Sequence, residues 1–230
     1  MKLAILISGR GSNMQKLIDA CAAPDFPATV GLVISNRPGA RGLRLAADAG
    51  VPTMVIDHTD FDSRAHFDAA LGTALHTAGV ELVCQAGFMR ILTADFAAQW
   101  HGRIINIHPS LLPAFKGLHV HKQALEAGVR ISGCTVHYVT ADLDGGPIIA
   151  QAAVPVIAGD TVDTLAARIL TAEHVLYPAA VRMIAEGHVA LTEQGVMAAP
   201  GTLPDRTGDV AALFSPPFSS SPTEPGPPYD

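Results

Sequence analysis

Along the first half of the chain, short runs of aliphatic and β-branched residues recur at intervals that leave room for a helix between them. They fall at residues 5–7, 30–34, 53–56, 82–84 and 104–107. Strands that are apolar throughout, without alternation, have both faces buried, and helical connections carry the chain back to start each strand in the same direction. The expected fold is therefore α/β, an open, mainly parallel sheet with helices on both faces. Between the third and fourth runs, Phe67, Leu71, Leu75 and Ala78 recur at helical spacing, behind a start signal at Asp62 and Ser63. Two further strands are expected over residues 131–139 and 147–156, joined through the turn Asp144-Gly145-Gly146, which brings the total to seven. A long helix follows from Asp160 or Thr161, with Val162, Leu165, Ile169, Ala172 and Leu176 on one face and a kink expected at Pro178.

Eight of the 17 prolines lie in the last 31 residues, so residues 199–230 read as a Pro/Ser-rich tail behind one folded domain over residues 1–198. A chain of 230 residues that is 49% hydrophobic can bury a full core. Gly, Pro or a charge interrupts every apolar stretch before the roughly 18 residues a membrane helix needs, so no membrane partner is expected. The apolar N-terminus is too brief for a secretory signal and ends in glycines, which suits a first buried strand. Cys21, Cys84 and Cys134 are odd in number and widely spaced, which argues against a disulfide framework and for a cytoplasmic protein. A net charge of −6 gives no support to a nucleic-acid partner. Monomer and homodimer both stay open.

After the first strand comes Ser8-Gly9-Arg10-Gly11-Ser12-Asn13, leading into a helix that carries Met14, Leu17 and Ile18. Glycines let the backbone approach an anion, and amides at a helix N-terminus point toward it. A dinucleotide fingerprint would need glycine where Met14 stands, and strand two ends in Ser35-Asn36 without the ribose-binding acid. No Gly-Lys-Ser/Thr follows the loop, so a triphosphate P-loop is not supported and a single phosphate fits better.

The segment Asn106-Ile107-His108-Pro109-Ser110-Leu111-Leu112-Pro113 carries the sharpest chemistry. Alternation places Asn106 and His108 on one face, at the carboxyl end of a strand, where open α/β sheets bind their ligands. An amide donor beside an imidazole suits a carbonyl oxygen that becomes negative as an amine attacks. Asp144, in its glycine turn, would orient that imidazole and favour its protonated form if the fold brings the two together.

These residues resemble the phosphoribosylglycinamide formyltransferases, folate-dependent glycinamide ribonucleotide transformylases of purine biosynthesis. The resemblance runs from Leu3 to about Gly187. It rests on Ser8 to Asn13, Phe61 to Arg64, Ala86-Gly87-Phe88-Met89-Arg90-Ile91-Leu92, Asn106 to Pro113, Gly117-Leu118-His119, Leu143 to Pro147 and Glu173-His174. It implies a formyltransferase fold with a Rossmann-like nucleotide-binding half over about residues 1–100 and a folate and catalytic half over about 101–198. It also implies Asn106, His108 and Asp144 as catalytic, and Gly11, Ser12 and Asn13 as the substrate phosphate site. Leu170, Thr171, Ala172 and Glu173 become the site for the glycinamide end of the substrate, with the Glu173 carboxylate suited to the cationic amine. The co-substrate implied is 10-formyltetrahydrofolate, held by Arg64, Met89, Arg90, Ile91, Leu92, Asn106, Thr140, Ala141, Asp142, Leu143 and Asp144. Members usually carry an acid where this chain has Ala141, with a modest effect expected because backbone groups make most contacts there.

A metal-dependent hydrolase could use His108, His119, His121 and His137, but His119-x-His121 matches no zinc pattern and no HExxH accompanies it, so no metal is expected. His119 and His121 read as helix-start or supporting donors. A 10-formyltetrahydrofolate hydrolase shares the trio but carries a regulatory domain before it, whereas the first strand here begins at Leu3. A methionyl-tRNA formyltransferase would need a basic appendage, and residues 199–230 hold only Arg206 as a cation.

Overall fold

The computed structural model describes residues 1–198 and 213–215. Its central strand is β1 (Lys2–Ile7), whose Leu3, Ile5 and Ile7 enter one hydrophobic cluster while Ala4 and Leu6 enter another on the opposite face. That division is the physical meaning of an uninterrupted apolar strand: both sides must be covered. The glycine loop then leads into α1 (Ser12–Cys21), β2 (Thr29–Ser35), α2 (Arg41–Asp48) and β3 (Thr53–Val55), and β2 and β3 pair parallel to β1 in succession. All three residues of β3 are exposed, because it is the edge of the sheet.

On the other side of β1 the chain adds α3 (Arg64–Thr77), β4 (Leu82–Gln85), α4 (Ala94–Gln99) and β5 (Ile104–His108). These two strands are also parallel. As the start signal suggested, the Ser63 hydroxyl caps α3 by accepting from His66 N at 3.2 Å. Phe67, Leu71 and Leu75 are buried, each stabilising by about 1.5–3 kcal/mol relative to an exposed side chain. After α5 (Val120–Glu126), β6 (Ile131–Tyr138) reverses direction against β5, and β7 (Ile148–Pro155) returns antiparallel to β6. In the connecting turn, a Cβ on Gly146 would lie 1.8 Å from the Tyr138 carbonyl oxygen, so only glycine fits.

The long helix, α6 (Val162–Ala185), starts from a reciprocal pair: Thr161 Oγ1 accepts from Thr164 N at 3.2 Å, and Thr161 N donates to Thr164 Oγ1 at 2.9 Å. It continues through Pro178 to Ala185. Its buried Tyr177 hydroxyl is shared between the carbonyls of Gln85 and Ile105, at 2.9 and 3.3 Å, fastening the helix across β4 and β5.

All seven expected strands form. An unexpected hairpin follows α6, made of β8 (Val189–Thr192) and β9 (Gly195–Ala198). The reading of residues 199–230 as a tail lies outside the described residues except at β10 (Leu213–Ser215), which pairs antiparallel with Gln151–Ala153 of β7 and becomes an eighth strand. Across the sheet the order is β10-β7-β6-β5-β4-β1-β2-β3. Topology reverses around β1 and β4, so the loops after β1, β4 and β5 gather at one carboxyl edge, where such sheets form crevices.

Candidate active site

Gly11 immediately precedes α1 with φ at 77°, and a Cβ there would approach the Gly42 Cα to 2.8 Å. Glycine is required on both counts. No side chain caps α1 and its first turn holds no acid, so its leading amides have no side-chain partner. Asn13, the second residue of the helix, donates from Nδ2 to Glu173 Oε2 at 2.6 Å. That bond ties the loop to α6. Glu173 is buried, and burial pushes its carboxyl up to about 7, with the Asn13 bond and the Arg10 charge pulling it back. Of its expected companions, Ala172 is buried in the core, Leu170 is half-buried and Thr171 is exposed with its hydroxyl bonded to the Ala167 carbonyl.

The fold brings His108 and Asp144 together from elements 36 residues apart, with His108 Nδ1 3.5 Å from Asp144 Oδ2 and both side chains at most 10% exposed. The other ring nitrogen, Nε2, donates to the Phe115 carbonyl at 3.0 Å, and the Ser110 hydroxyl, 2.7 Å from the Ala114 carbonyl and 3.0 Å from that of Phe115, holds the same turn. Asp144, at a left-handed φ of 47°, is fixed by accepting from Gly117 N at 2.9 Å. Asn106 does not touch Asp144 directly. Its side-chain amide donates to His137 Nε2 at 3.2 Å, and His137 Nε2 stands 3.8 Å from Asp144 Oδ1.

His137 is read from its partners. Its Nδ1 contacts the Tyr138 carbonyl at 2.9 Å, which can only accept, so Nδ1 carries the hydrogen. Burial lowers its pKa, so the ring is neutral near pH 7 and Nε2 is free to accept from Asn106. The 3.8 Å approach to Asp144 is then a contact, not an ion pair. One N–H of Asn106 is thereby used, and the other has no partner among the described residues.

The chain around this centre is braced from below. Thr135 Oγ1 on β6 donates to the Ser110 carbonyl at 2.7 Å and accepts from Leu112 N at 3.1 Å, while Gln151 on β7 donates to the Leu112 carbonyl at 2.9 Å. Two further loops border the crevice. In one, Met89 and Ile91 are exposed, Leu92 is buried, and the Arg90 guanidinium lies 5.3 Å from the Phe67 ring centre. Arg64 begins α3 on the same side, one turn ahead of Phe67, and is exposed. In the other, Thr140 is half-buried, Ala141, Asp142 and Leu143 are exposed, and Asp144 turns inward. Exposed apolar side chains beside buried polar ones are what a flat aromatic ligand with polar edges would cover.

A family model described as formyl transferase matches residues 1–181. The chain belongs to the formyl transferase family. Its relatives include the phosphoribosylglycinamide formyltransferase of Escherichia coli, 46% identical over 193 residues that cover 84% of this chain and 91% of that one. The trifunctional purine biosynthetic protein adenosine-3 of Gallus gallus is 52% identical over 195 residues, which is 85% of this chain but 19% of the relative. The chain thus spans about a fifth of the length of such trifunctional relatives. Among solved structures, glycinamide ribonucleotide transformylase 1 from Symbiobacterium toebii superposes with a TM-score of 0.84 at 49% identity, covering 86% of this chain and 93% of that one.

Sequence reasoning treated His137 only as a member of a rejected metal cluster. Its register gives it away, because Asn106 is the residue directly opposite it on β5. The Phe115 carbonyl that holds His108 has no signature in side-chain identity. His119 precedes α5 but makes no capping bond, so the helix-start donor expected there is not formed, and His121 Nε2 is buried without a partner among the described residues. Among the described residues, no group of three or more His, Cys, Asp or Glu is placed to hold a metal ion, and no helix is long and apolar enough to cross a membrane.

Proposed function

We propose that this protein transfers the formyl group of 10-formyltetrahydrofolate to the amine of N1-(5-phosphoribosyl)glycinamide, giving formylglycinamide ribonucleotide and tetrahydrofolate, a step of de novo purine synthesis. The observation that carries this reading is the convergence of Asn106, His108 and Asp144 at the carboxyl end of the sheet, beside an uncapped glycine loop. The amine lone pair forms the new C–N bond while the carbonyl π pair moves onto oxygen. In this reading, the spare N–H of Asn106 donates to that oxygen, the Nε2–H of His108 turns to it from the Phe115 carbonyl, and Asp144 holds the imidazole through Nδ1. Collapse of the adduct expels the folate nitrogen, which takes up the proton the amine gives up.

The acceptor's phosphate lies on the amides after Gly11, at Ser12 and Asn13. Its reacting amine is at the far end and must meet the formyl carbon near His108. Glu173, bonded to Asn13 beside the phosphate loop, therefore suits the ribose hydroxyls between those ends better than the ammonium its charge alone would suggest. Leu170 and Thr171 complete that wall, and Ala172 backs it from the core. The folate lies against Met89, Arg90, Ile91 and Leu92 on one side and Thr140, Ala141, Asp142, Leu143 and Asp144 on the other, with Arg64 toward its acidic end.

Turnover of 10-formyltetrahydrofolate with and without glycinamide ribonucleotide tests the proposal, with product mass recorded. Rapid consumption only with the nucleotide, and formylglycinamide ribonucleotide as product, is the expected result. Free formate released at the same rate without the nucleotide would replace the transferase by a hydrolase.

A further inference from the structure

Ser8 lies at the end of β1, between the two loops that the proposed function assigns to different substrates. Ser8 is buried at 7% exposure, and both its hydroxyl and its backbone N–H are engaged. Ser8 Oγ accepts from Met89 N at 2.7 Å and donates to Asn36 Oδ1 at 2.5 Å, while Ser8 N donates to the Gly87 carbonyl at 3.2 Å. One residue thus fixes the loop after β4 at both Gly87 and Met89, and the glycine loop begins at the very next position.

Asn36, in turn, is anchored from outside. His58 Nδ1 stands 2.8 Å from the Asn36 carbonyl and 3.3 Å from its Nδ2, and since the carbonyl can only accept, Nδ1 carries the hydrogen and the shorter contact is the bond. Asn36 N also reaches the Ile7 carbonyl at 3.4 Å. The hydroxyl hydrogen of Ser8 is committed to Asn36, which leaves its lone pair aimed at Met89. On its other side the glycine loop is held by Gly42 N, which donates to the Gly9 carbonyl at 3.0 Å. The glycine loop and the Met89 backbone thus share Ser8 as a common anchor.

We propose that Ser8 is a positioning residue that couples the phosphate loop at Gly9 to Asn13 with the loop at Gly87 to Leu92, so that the phosphorylated acceptor and the folate each alter the other's affinity. The proposal rests on the assignment of those two loops to acceptor and folate. It goes beyond it by naming the link. Reciprocity is required thermodynamically: whatever factor one ligand imposes on the other must be returned.

Ser8→Ala removes the acceptor from Met89 N and Ser8→Thr keeps it. Tetrahydrofolate, which has no formyl group to transfer, is titrated calorimetrically into each protein with and without saturating glycinamide ribonucleotide. In the native protein the nucleotide should change tetrahydrofolate affinity several-fold. In Ser8→Ala that ratio should fall to one, with tetrahydrofolate binding weakened on the order of tenfold and nucleotide binding alone little changed. Ser8→Thr should restore the ratio. Amide exchange gives a readout that needs neither ligand: in Ser8→Ala the Met89 amide should exchange faster while the Ala86 amide, bonded to the Leu6 carbonyl at 2.9 Å, stays protected. An unchanged ratio in Ser8→Ala, or a native ratio of one, would overturn the coupling. Failure of the native protein to bind either compound, with Met89 exchange still dependent on Ser8, would instead remove the functional assignment beneath it. Should Ser8→Ala fail to fold, Asn36→Ala, which frees the Ser8 hydroxyl to rotate, must lower the ratio in the same way or the proposal is wrong.

Discussion

Replacing Glu173 by glutamine should stabilise this protein above neutral pH while impairing its proposed reaction. Burial raises the Glu173 pKa from 4.5 to about 7. Between those two values the folded chain holds more proton than the unfolded one, so stability falls as pH rises through that window, and the full cost stands above pH 7. A difference of about 2.5 units at 1.36 kcal/mol each is roughly 3 kcal/mol. The Glu173→Gln side chain would keep an oxygen for the Asn13 Nδ2 donor and would add an N–H beside Asn13 Oδ1, which is buried with no partner among the described residues. Below about pH 4.5 the native carboxyl is neutral and the two proteins should be nearly equal. At pH 8 the variant should melt roughly 6–12 °C higher, at 2–4 °C per kcal/mol for a chain of this size. Differential scanning calorimetry at pH 5, 6, 7 and 8 gives the curve. The acceptor KM should rise on the order of tenfold as a charge-assisted bond to the ribose is lost. A melting difference that does not grow between pH 5 and 8 would refute the claim that Glu173 is held at an unfavourable protonation in the fold.

His108→Ala and Asp144→Asn should each lower kcat on the order of a hundredfold or more, and the double variant should lose little beyond the worse single; near-multiplicative losses would mean the pair does not act as a unit. Gly11→Ala, which drives a Cβ to within 2.8 Å of Gly42, should raise the acceptor KM more than the folate KM; equal rises would point to general unfolding. Tyr177→Phe should lower stability by about 1–2 kcal/mol, read as a lower urea midpoint at unchanged slope, because the carbonyls of Gln85 and Ile105 lose their shared donor.

Much of this architecture was legible without coordinates because it depends on local pattern. Runs buried on both faces dictated a parallel sheet, and all five early strands overlap the apolar runs that announced them. The same period put Asn106 and His108 on one face of β5. Ser63 and Thr161 announced the starts of α3 and α6, since a hydroxyl ahead of an apolar stripe has one common use. What composition hid was the β8–β9 hairpin, whose apolar strands are only four residues each, too short for a periodic signal, and β10, which lies within a Pro-rich stretch.

The tertiary structure alone decided which distant groups meet. That Asp144 faces His108 depends on β6 reversing against β5 and on a turn that only Gly146 permits. That Glu173 serves Asn13, 160 residues away, depends on α6 packing beside α1, and its raised pKa is a product of the burial that follows. His137 belongs to the site through its register opposite Asn106, and the Phe115 carbonyl through a loop with no side-chain signature. Periodicity is a property of neighbours along a chain and survives in the sequence. Distance, burial and protonation belong to groups brought together from far apart, and they exist only once the chain has closed on itself.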